Sequence, residues 1–373
     1  MTLLVDRKFH ADTPCVHVLI VAVGEYPCLV GGTGNLFEEN EGMGQLSSPP
    51  ISARLLSDWL RSEFVPYGAK LGSIDVLCSG DQEFVNDEGD LVAVDSAKLI
   101  NLRTAADRLF ELGNHNPEDM LVFYFCGHGV SSGEVHSLLT EGFGSFPRDP
   151  FSDAVDAGAF IDGMRSCKAL NQLFLFDACR STPEHYLLEL GEFRGVPLIS
   201  GAVHANLGVS RQVSLWASEL GLPAYGRIDA GTVFTEALIS AMQGAAARRD
   251  RITFDWVIET FSLQEGINTF IKRAVGELRQ FVTPGRMTMG FPFHVLSQPP
   301  LVPVEIVCRP PERGPLLELS CDPGAHRYAG SPWALELPHG QYTVTATELA
   351  TGAQLSSQMC LAVPPSALVM LEV

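Results

Sequence analysis

The sequence predicts an α/β protein in which a mainly parallel sheet is flanked by helices on both faces. A small C-terminal antiparallel β-sandwich follows it. Three observations predict this class. Strand-like and helix-like segments alternate to about residue 295, which is typical of a parallel sheet with crossover helices. Short β-rich runs separated by turns make up the rest of the chain. With 373 residues and 46% hydrophobic residues, the chain is long enough for a sizeable core.

Local patterns predict the elements of the first part. An apolar run predicts a buried strand over 17–23, and Pro49-Pro50 suits the first turn of a helix that ends near Phe64. Apolar residues at helical spacing predict a helix over 96–112. We predict further strands at 71–78, 120–126, 173–178 and 212–217, further helices at 159–170, 231–243 and 254–278, and long loops at 130–159 and 181–209.

The Pro-rich segment 297–303 is predicted to link two domains. Residues 1–296 would form the α/β domain and residues 304–373 the β-sandwich, which weakly resembles transthyretin-like or immunoglobulin-like accessory domains. Its strands are predicted at 304–308, 316–320, 334–337, 342–347, 355–363 and 367–373. We find no catalytic motif in this part and expect it to pack against or bind another protein.

Composition excludes several classes of function. A net charge of −19 argues against binding nucleic acid. No apolar stretch is long enough to span a membrane, and residues 1–13 do not have the pattern of a secretory signal. Nine cysteines without a C-x-x-C pair indicate reduced thiols in the cytoplasm and no structural zinc site. We therefore expect no cofactor and no metal.

Two apolar runs end abruptly at a reactive side chain. The run Phe123-Tyr-Phe-Cys-Gly-His-Gly ends at His128, and the run Leu173-Phe-Leu-Phe-Asp-Ala-Cys ends at Cys179. Neighbouring parallel strands that end in this way bring both side chains to the carboxyl edge of a sheet, where open α/β folds bind ligands. A thiol beside an imidazole is a standard activated nucleophile.

This pair of motifs resembles the caspase clan of cysteine peptidases, in particular its bacterial caspase-like and metacaspase-like members. His128 lies about 50 residues upstream of Cys179, as in the caspase signature. The segment 215–238 is also similar to the part of these proteins that borders the substrate groove. The resemblance extends over about residues 16–295, and it differs from animal caspases in having Asp177-Ala178 before the cysteine.

The resemblance implies a cysteine endopeptidase with a catalytic dyad and no cofactor. Cys179 would be the nucleophile and His128 the base and later the acid. The backbone N–H groups of Gly129 and Cys179 would form the oxyanion hole. Asp177 would line the pocket for the residue before the cut and select Arg or Lys by charge pairing. Glu219 is a candidate for a second acidic wall of that pocket.

Several alternatives stay open at this stage. Asp177 could instead brace the turn through backbone hydrogen bonds, and Asp153 or Asp156 could contribute to the pocket. Arg194 is a candidate site of self-cleavage. The chain could also be a catalytically silent interaction or signalling module.

The resemblance also permits a regulated peptidase of bacterial antiviral defence or cell death. In that reading a protein substrate would be cut after an activating protein or a nucleotide-derived small ligand has bound.

Overall fold

The computed structural model describes residues 2–10, 12–182, 186, 193–199, 210–275 and 280–373. The strands of its first part are β1 (Thr2–Asp6), β2 (Cys15–Ala22), β3 (Lys70–Cys78), β4 (Glu83–Val85), β5 (Leu91–Ala93), β6 (Met120–Cys126), β7 (Gly129–Ser132), β8 (Val135–Leu139), β9 (Ala154–Asp156), β10 (Asn171–Asp177), β11 (Arg211–Trp216), β12 (Ala247–Arg249), β13 (Trp256–Glu259), β14 (Thr283–Met287) and β15 (Pro292–Val295). The helices are α1 (Ser48–Ser62), α2 (Leu99–Leu112), α3 (Ala157–Met164), α4 (Val233–Ser240) and α5 (Thr260–Val275).

Seven strands form the central sheet in the order β1-β3-β2-β6-β10-β11-β14. The five inner strands are parallel, and the two edge strands, β1 and β14, pair antiparallel with their neighbours. β2 and β6 are buried along their whole length. Such continuous apolar strands require a cover on both faces of the sheet, because every side chain must leave water.

The two faces of the sheet are covered by different helices. Helices α1, α4 and α5 pack on one face through residues such as Leu56, Phe234 and Ile267. Helices α2 and α3 pack on the other face through residues such as Leu102 and Phe160. The predicted α/β class with helices on both faces is therefore confirmed.

Four predictions about the first part are wrong or incomplete. The segment 130–159 is not a plain loop, because β7, β8 and β9 form a small antiparallel sheet. The helix predicted over 254–278 begins only at Thr260, after strand β13. The helix predicted over 159–170 spans Ala157–Met164, and β1 was not foreseen. Most of the loop predicted over 181–209 lies outside the described residues.

The C-terminal part is β-rich, as predicted. It contains β16 (Leu301–Arg309), β17 (Leu317–Asp322), β18 (His326–Ala329), β19 (Trp333–Pro338), β20 (Gly340–Glu348), β21 (Gln354–Ala362) and β22 (Ala367–Glu372). They form a three-stranded and a four-stranded sheet over a core of their own. The pairs are antiparallel except that β16 and β22 run parallel.

The predicted linker is partly structured. β16 begins at Leu301, inside the segment 297–303, and the rings of Trp256 and His339 pack together across the junction with a centroid distance of 4.7 Å. The division into domains at this point stays a prediction. Within the described residues, no helix is both long and apolar enough to cross a bilayer.

Candidate active site

Cys179 and His128 line one small pocket at the carboxyl edge of the central sheet. β6 ends at Cys126 and β10 ends at Asp177, and these two residues lie opposite each other in the parallel register. The residues that follow leave the sheet at the same level, so the thiol and the imidazole reach a common cavity of about 90 Å³. Both side chains are partly buried.

A backbone carbonyl selects the tautomer of His128. Its Nε2 lies 2.8 Å from the carbonyl oxygen of Gly44. Because that oxygen can only accept, Nε2 carries the proton and Nδ1 carries the lone pair. The backbone N–H of His128 donates to the hydroxyl of Tyr26 at 2.7 Å. Burial lowers the pKa of His128, so the ring is neutral at neutral pH and Nδ1 can accept a proton.

The sulfur of Cys179 is covered by the segment that contains Ala224. The N–H of Ala224 donates to Sγ at 3.2 Å, and the thiol lies 3.7 Å from the carbonyl oxygen of the same residue. Burial raises the pKa of Cys179, and the Ala224 N–H opposes this only in part. The resting thiol is therefore protonated at neutral pH, and attack needs a base to remove its proton.

Gly129 is in direct contact with the nucleophile segment. A Cβ atom at this position would lie 2.7 Å from the carbonyl oxygen of Cys179 and 3.0 Å from the Cβ of Ala178. Only glycine therefore fits here without a shift of the neighbouring backbone. The contact continues along the chain, where the N–H of Ser131 donates to the carbonyl of Ser181 at 2.9 Å. The two backbone segments that carry Gly129 and Cys179 thus run side by side.

Asp177 lies buried in the lining of the same pocket, with 3% of its surface exposed. Its Oδ2 accepts hydrogen bonds from the hydroxyls of Thr232, of Thr235 at 2.8 Å and of Tyr124 at 3.2 Å. Burial raises the pKa of this carboxyl to about 6, although these hydroxyl donors favour the charged form. Asp177 forms no ion pair with any Lys or Arg that the structure describes. Within the part of the chain that the structure describes, it is a buried carboxylate with neutral donors and no counter-charge.

The fold agrees with comparisons to known proteins. The family model of the caspase domain matches residues 17–255, a range that includes both His128 and Cys179. The chain belongs to the caspase domain family. An uncharacterised protein of Sinorhizobium fredii, y4kE, is 28% identical over 287 residues, which are 74% of this chain and 82% of that protein. The resemblance inferred from the sequence is confirmed, and the matched range ends before the C-terminal β-rich part.

The other acidic candidates lie elsewhere in the caspase domain. Glu219 is exposed and does not line the pocket. Asp156 is the N-cap of α3, where it accepts from the N–H of Ala159, and Asp153 accepts from Ser145. The structure therefore gives no support to these three as pocket residues. Arg194 lies 3.2 Å from Asp156 in an ion pair, with 59% of its side chain exposed.

A buried polar chain beside the nucleophile was not foreseen from the sequence. Arg180 donates to Nε2 of His136 at 2.8 Å, and Nδ1 of His136 bonds the hydroxyl of Ser131, also at 2.8 Å. The guanidinium also lies over the ring of Trp216, 5.1 Å from its centroid, and donates to Thr283 at 3.1 Å. Burial lowers the pKa of His136 to about 4, so its neutral ring can accept from Arg180.

This polar chain connects the two segments that meet at the site. Ser131 and His136 belong to the hairpin that follows His128, and Arg180 follows Cys179 directly. A sequence signal existed only for Arg180, because it adjoins the cysteine. The partners Gly44 and Ala224 act through backbone atoms, which no residue type reveals.

Proposed function

We propose that the chain is a cysteine endopeptidase in which Cys179 attacks the substrate and His128 moves the proton. One observation carries this proposal. Both side chains line the same pocket, and the Gly44 carbonyl directs the lone pair of His128 to Nδ1, the other side of the ring. A neutral thiol beside a neutral imidazole with an available lone pair is the starting state of general-base catalysis.

The proposed reaction proceeds in two steps. Nδ1 of His128 takes the proton of Cys179 as Sγ bonds to the carbonyl carbon of the peptide. The resulting oxyanion accepts hydrogen bonds from the N–H groups of Gly129 and Cys179, whose backbones are in contact. The imidazolium then gives its proton to the leaving amine, and an acyl-enzyme remains. Water, deprotonated by His128, hydrolyses this thioester and restores the thiol.

The burial of Asp177 without a counter-charge among the described residues supports a preference for Arg or Lys before the cut. A buried carboxylate without a counter-charge is costly, and a cation that enters its pocket offsets this cost. The guanidinium of a substrate arginine is such a cation, and it also supplies hydrogen-bond donors to the carboxylate. Thr232 and Thr235 already bond one oxygen of Asp177 and hold its orientation. We therefore propose recognition of a basic residue by Asp177.

The resting site is narrow. Its volume of about 90 Å³ is well below the roughly 300–1,000 Å³ of ordinary ligand sites. The segment from Leu222 to Gly226 is placed there by several hydrogen bonds: the N–H of Arg180 donates to the carbonyl of Leu222, and that of Ala224 donates to Cys179. A peptide can reach the sulfur only after this segment moves. The proposed peptidase is therefore latent until its substrate or another partner displaces the segment.

A positional-scanning peptide library tests the proposal. We expect cleavage after Arg or Lys by the native chain and none by Cys179→Ala. The control is Cys28→Ala, which removes another partly buried thiol and is expected to retain activity. Cleavage after Asp would refute the role of Asp177 and leave the dyad intact. Equal turnover by the native chain and Cys179→Ala would refute both the dyad and the role of Asp177.

The second candidate is a catalytically silent interaction module. The hydrogen bonds between Cys179 and Ala224 favour it, because they occupy the thiol in the resting state. A peptide aldehyde that carries arginine separates the two candidates, since only a working dyad forms a reversible hemithioacetal with it. The cytoplasmic location, the activating partner and the role in antiviral defence or cell death stay predictions from the resemblance.

A further inference from the structure

A second cluster of reactive side chains lies at the opposite edge of the central sheet. Cys15 and His17 are two residues apart on β2, so both point to the same face of the strand. Asp119 immediately precedes β6, the neighbouring strand. One ligand atom of each residue lies within 4.8 Å of those of the other two. All three residues are buried, with exposed fractions of 8%, 7% and 2%.

We propose that Cys15, His17 and Asp119 bind a zinc ion. Thiolate, imidazole and carboxylate are all zinc ligands, and a thiolate with an imidazole favours zinc over magnesium or calcium. Their charges also match the ion. One thiolate and one carboxylate neutralise the two positive charges of Zn²⁺, while the neutral imidazole adds none. Binding converts the thiol of Cys15 to a thiolate and releases its proton to solvent.

His17 has a hydrogen-bonding partner on one of its two ring nitrogens. Its Nδ1 lies 2.9 Å from the hydroxyl of Ser73, and a hydrogen bond on one ring nitrogen leaves the other for the metal. Gly72 provides the necessary space, because a Cβ atom there would lie 2.8 Å from Cε1 of His17.

Asp119 is a buried carboxylate whose charge a bound metal ion would balance. Its Oδ1 accepts from the N–H of Cys15 at 2.7 Å, which ties β2 to the segment before β6. Among the described residues, no Lys or Arg forms an ion pair with it. A cation bound between Asp119 and Cys15 supplies the missing counter-charge.

The cluster opens into a cavity with a volume of about 520 Å³. His115 lines this cavity from the turn after α2 and is the candidate fourth ligand. Three cationic side chains also line the cavity: Arg7 is paired with Asp87 at 2.6 Å, Arg108 is paired with Asp6 at 3.4 Å, and Lys8 is the third. The cavity therefore gives the ion a route from solvent, and His115 offers a fourth ligand.

This site is independent of the proposed peptidase chemistry. It joins the amino ends of β2 and β6, whereas His128 and Cys179 lie at the carboxyl edge. We expect zinc bound at this site to raise the thermal stability of the protein. The sequence prediction of no metal was based on the lack of a C-x-x-C pair, whereas the ligands proposed here come from 15, 17 and 119 and are brought together only by the sheet.

Zinc binding should be measured by metal analysis after gel filtration and by competition with a chromogenic chelator. All proteins should carry Cys179→Ala, because the thiol and imidazole of the proposed dyad can also bind zinc. We expect one zinc per chain, and an upward shift of Tm on addition of zinc. Cys15→Ser or His17→Gln should weaken the affinity at least 100-fold and remove this shift. The matched control Cys167→Ser, which removes another buried thiol, should change neither the zinc affinity nor the shift of Tm.

Two further measurements keep the test decisive if a ligand variant does not fold. Ser73→Ala retains all ligands and should weaken zinc affinity by about tenfold through the loss of the hydrogen bond to His17. Co²⁺ added in place of zinc should give a thiolate-to-metal charge-transfer band that Cys167→Ser retains. A chain that binds no zinc overturns the proposal. So does a zinc affinity that Ser73→Ala and Cys15→Ser leave unchanged.

Discussion

The backbone N–H of Ala224 donates a hydrogen bond of 3.2 Å to the sulfur of Cys179. This contact places a chain segment over the atom that we propose as the nucleophile. It also explains why the pocket beside His128 is small and why the side chain of Cys179 is partly buried. The resting caspase domain thus holds its reactive groups together while it restricts access to them.

Loosening this cover should expose the thiol. We predict that the double variant Ala224→Gly and Tyr225→Gly reacts with iodoacetamide at Cys179 about tenfold faster, because a less buried thiol has a lower pKa and therefore a larger fraction of reactive thiolate. The control is Ile228→Gly, two residues beyond this segment, since Ile228 is 90% exposed and does not line the pocket. Modification rates can be followed by mass spectrometry of the peptide that contains Cys179. Equal rates in the native chain and the double variant would contradict the account of the cover.

The pH dependence of hydrolysis should reflect a buried imidazole. His128 must be neutral to act as a base, and burial lowers its pKa from the usual value of 6.5. Activity is therefore retained as the pH falls to 6.5 and is lost only below it. We predict that the acidic limb of kcat/KM has its midpoint below 6.5, measured with a peptide that has citrulline before the cut. Citrulline carries no charge, so charge pairing with Asp177 makes no contribution to its recognition. A midpoint above 7 would be inconsistent with the buried ring.

The sequence was sufficient to predict the strands that carry the proposed dyad. The strand over 120–126 was predicted with its true bounds because its apolar run is uninterrupted and ends at a glycine. The small sheet of β7, β8 and β9 was missed, since its strands are only three to five residues long and the segment that contains them is rich in Gly, Ser and Asp. These residue types are also those of loops.

The parts of the site that escaped prediction depend on backbone atoms or on distant residues. The Gly44 carbonyl and the Ala224 N–H could belong to any residue type, so no motif marks them. The hydroxyl donors to Asp177 come from Tyr124 in β6 and from Thr232 and Thr235 at the start of α4. Only the fold brings these segments together.

Asp177→Asn tests the preference for a basic residue. We predict that the ratio of kcat/KM for an arginine peptide over its citrulline analogue falls by about 100-fold, which corresponds to the loss of one buried charge pair. In the native chain the same ratio should fall as the pH is lowered through about 6, where Asp177 becomes protonated. The control Glu219→Gln should leave the ratio unchanged because Glu219 lies outside the pocket lining. An unchanged ratio in Asp177→Asn would assign Asp177 to bracing the turn.

His136→Ala tests the polar chain beside the nucleophile. Removal of the imidazole leaves a buried N–H of Arg180 without its acceptor, which should cost about 2–3 kcal/mol of unfolding free energy. Because Arg180 adjoins Cys179, we also expect kcat to fall while KM for a peptide changes little. Urea unfolding and steady-state kinetics measure the two effects, with the exposed His326→Ala as the control. A loss of stability without any change in kcat would limit the polar chain of Arg180, His136 and Ser131 to a structural role.

The most direct test of the central claim is covalent capture of Cys179 by a peptidyl-arginine chloromethyl ketone, read by intact mass and peptide mapping. The account predicts one adduct per chain on Cys179, and a rate in His128→Ala that is lower by on the order of 10³-fold. A label on another residue, or equal rates of labelling in the native chain and His128→Ala, would contradict a dyad of Cys179 and His128.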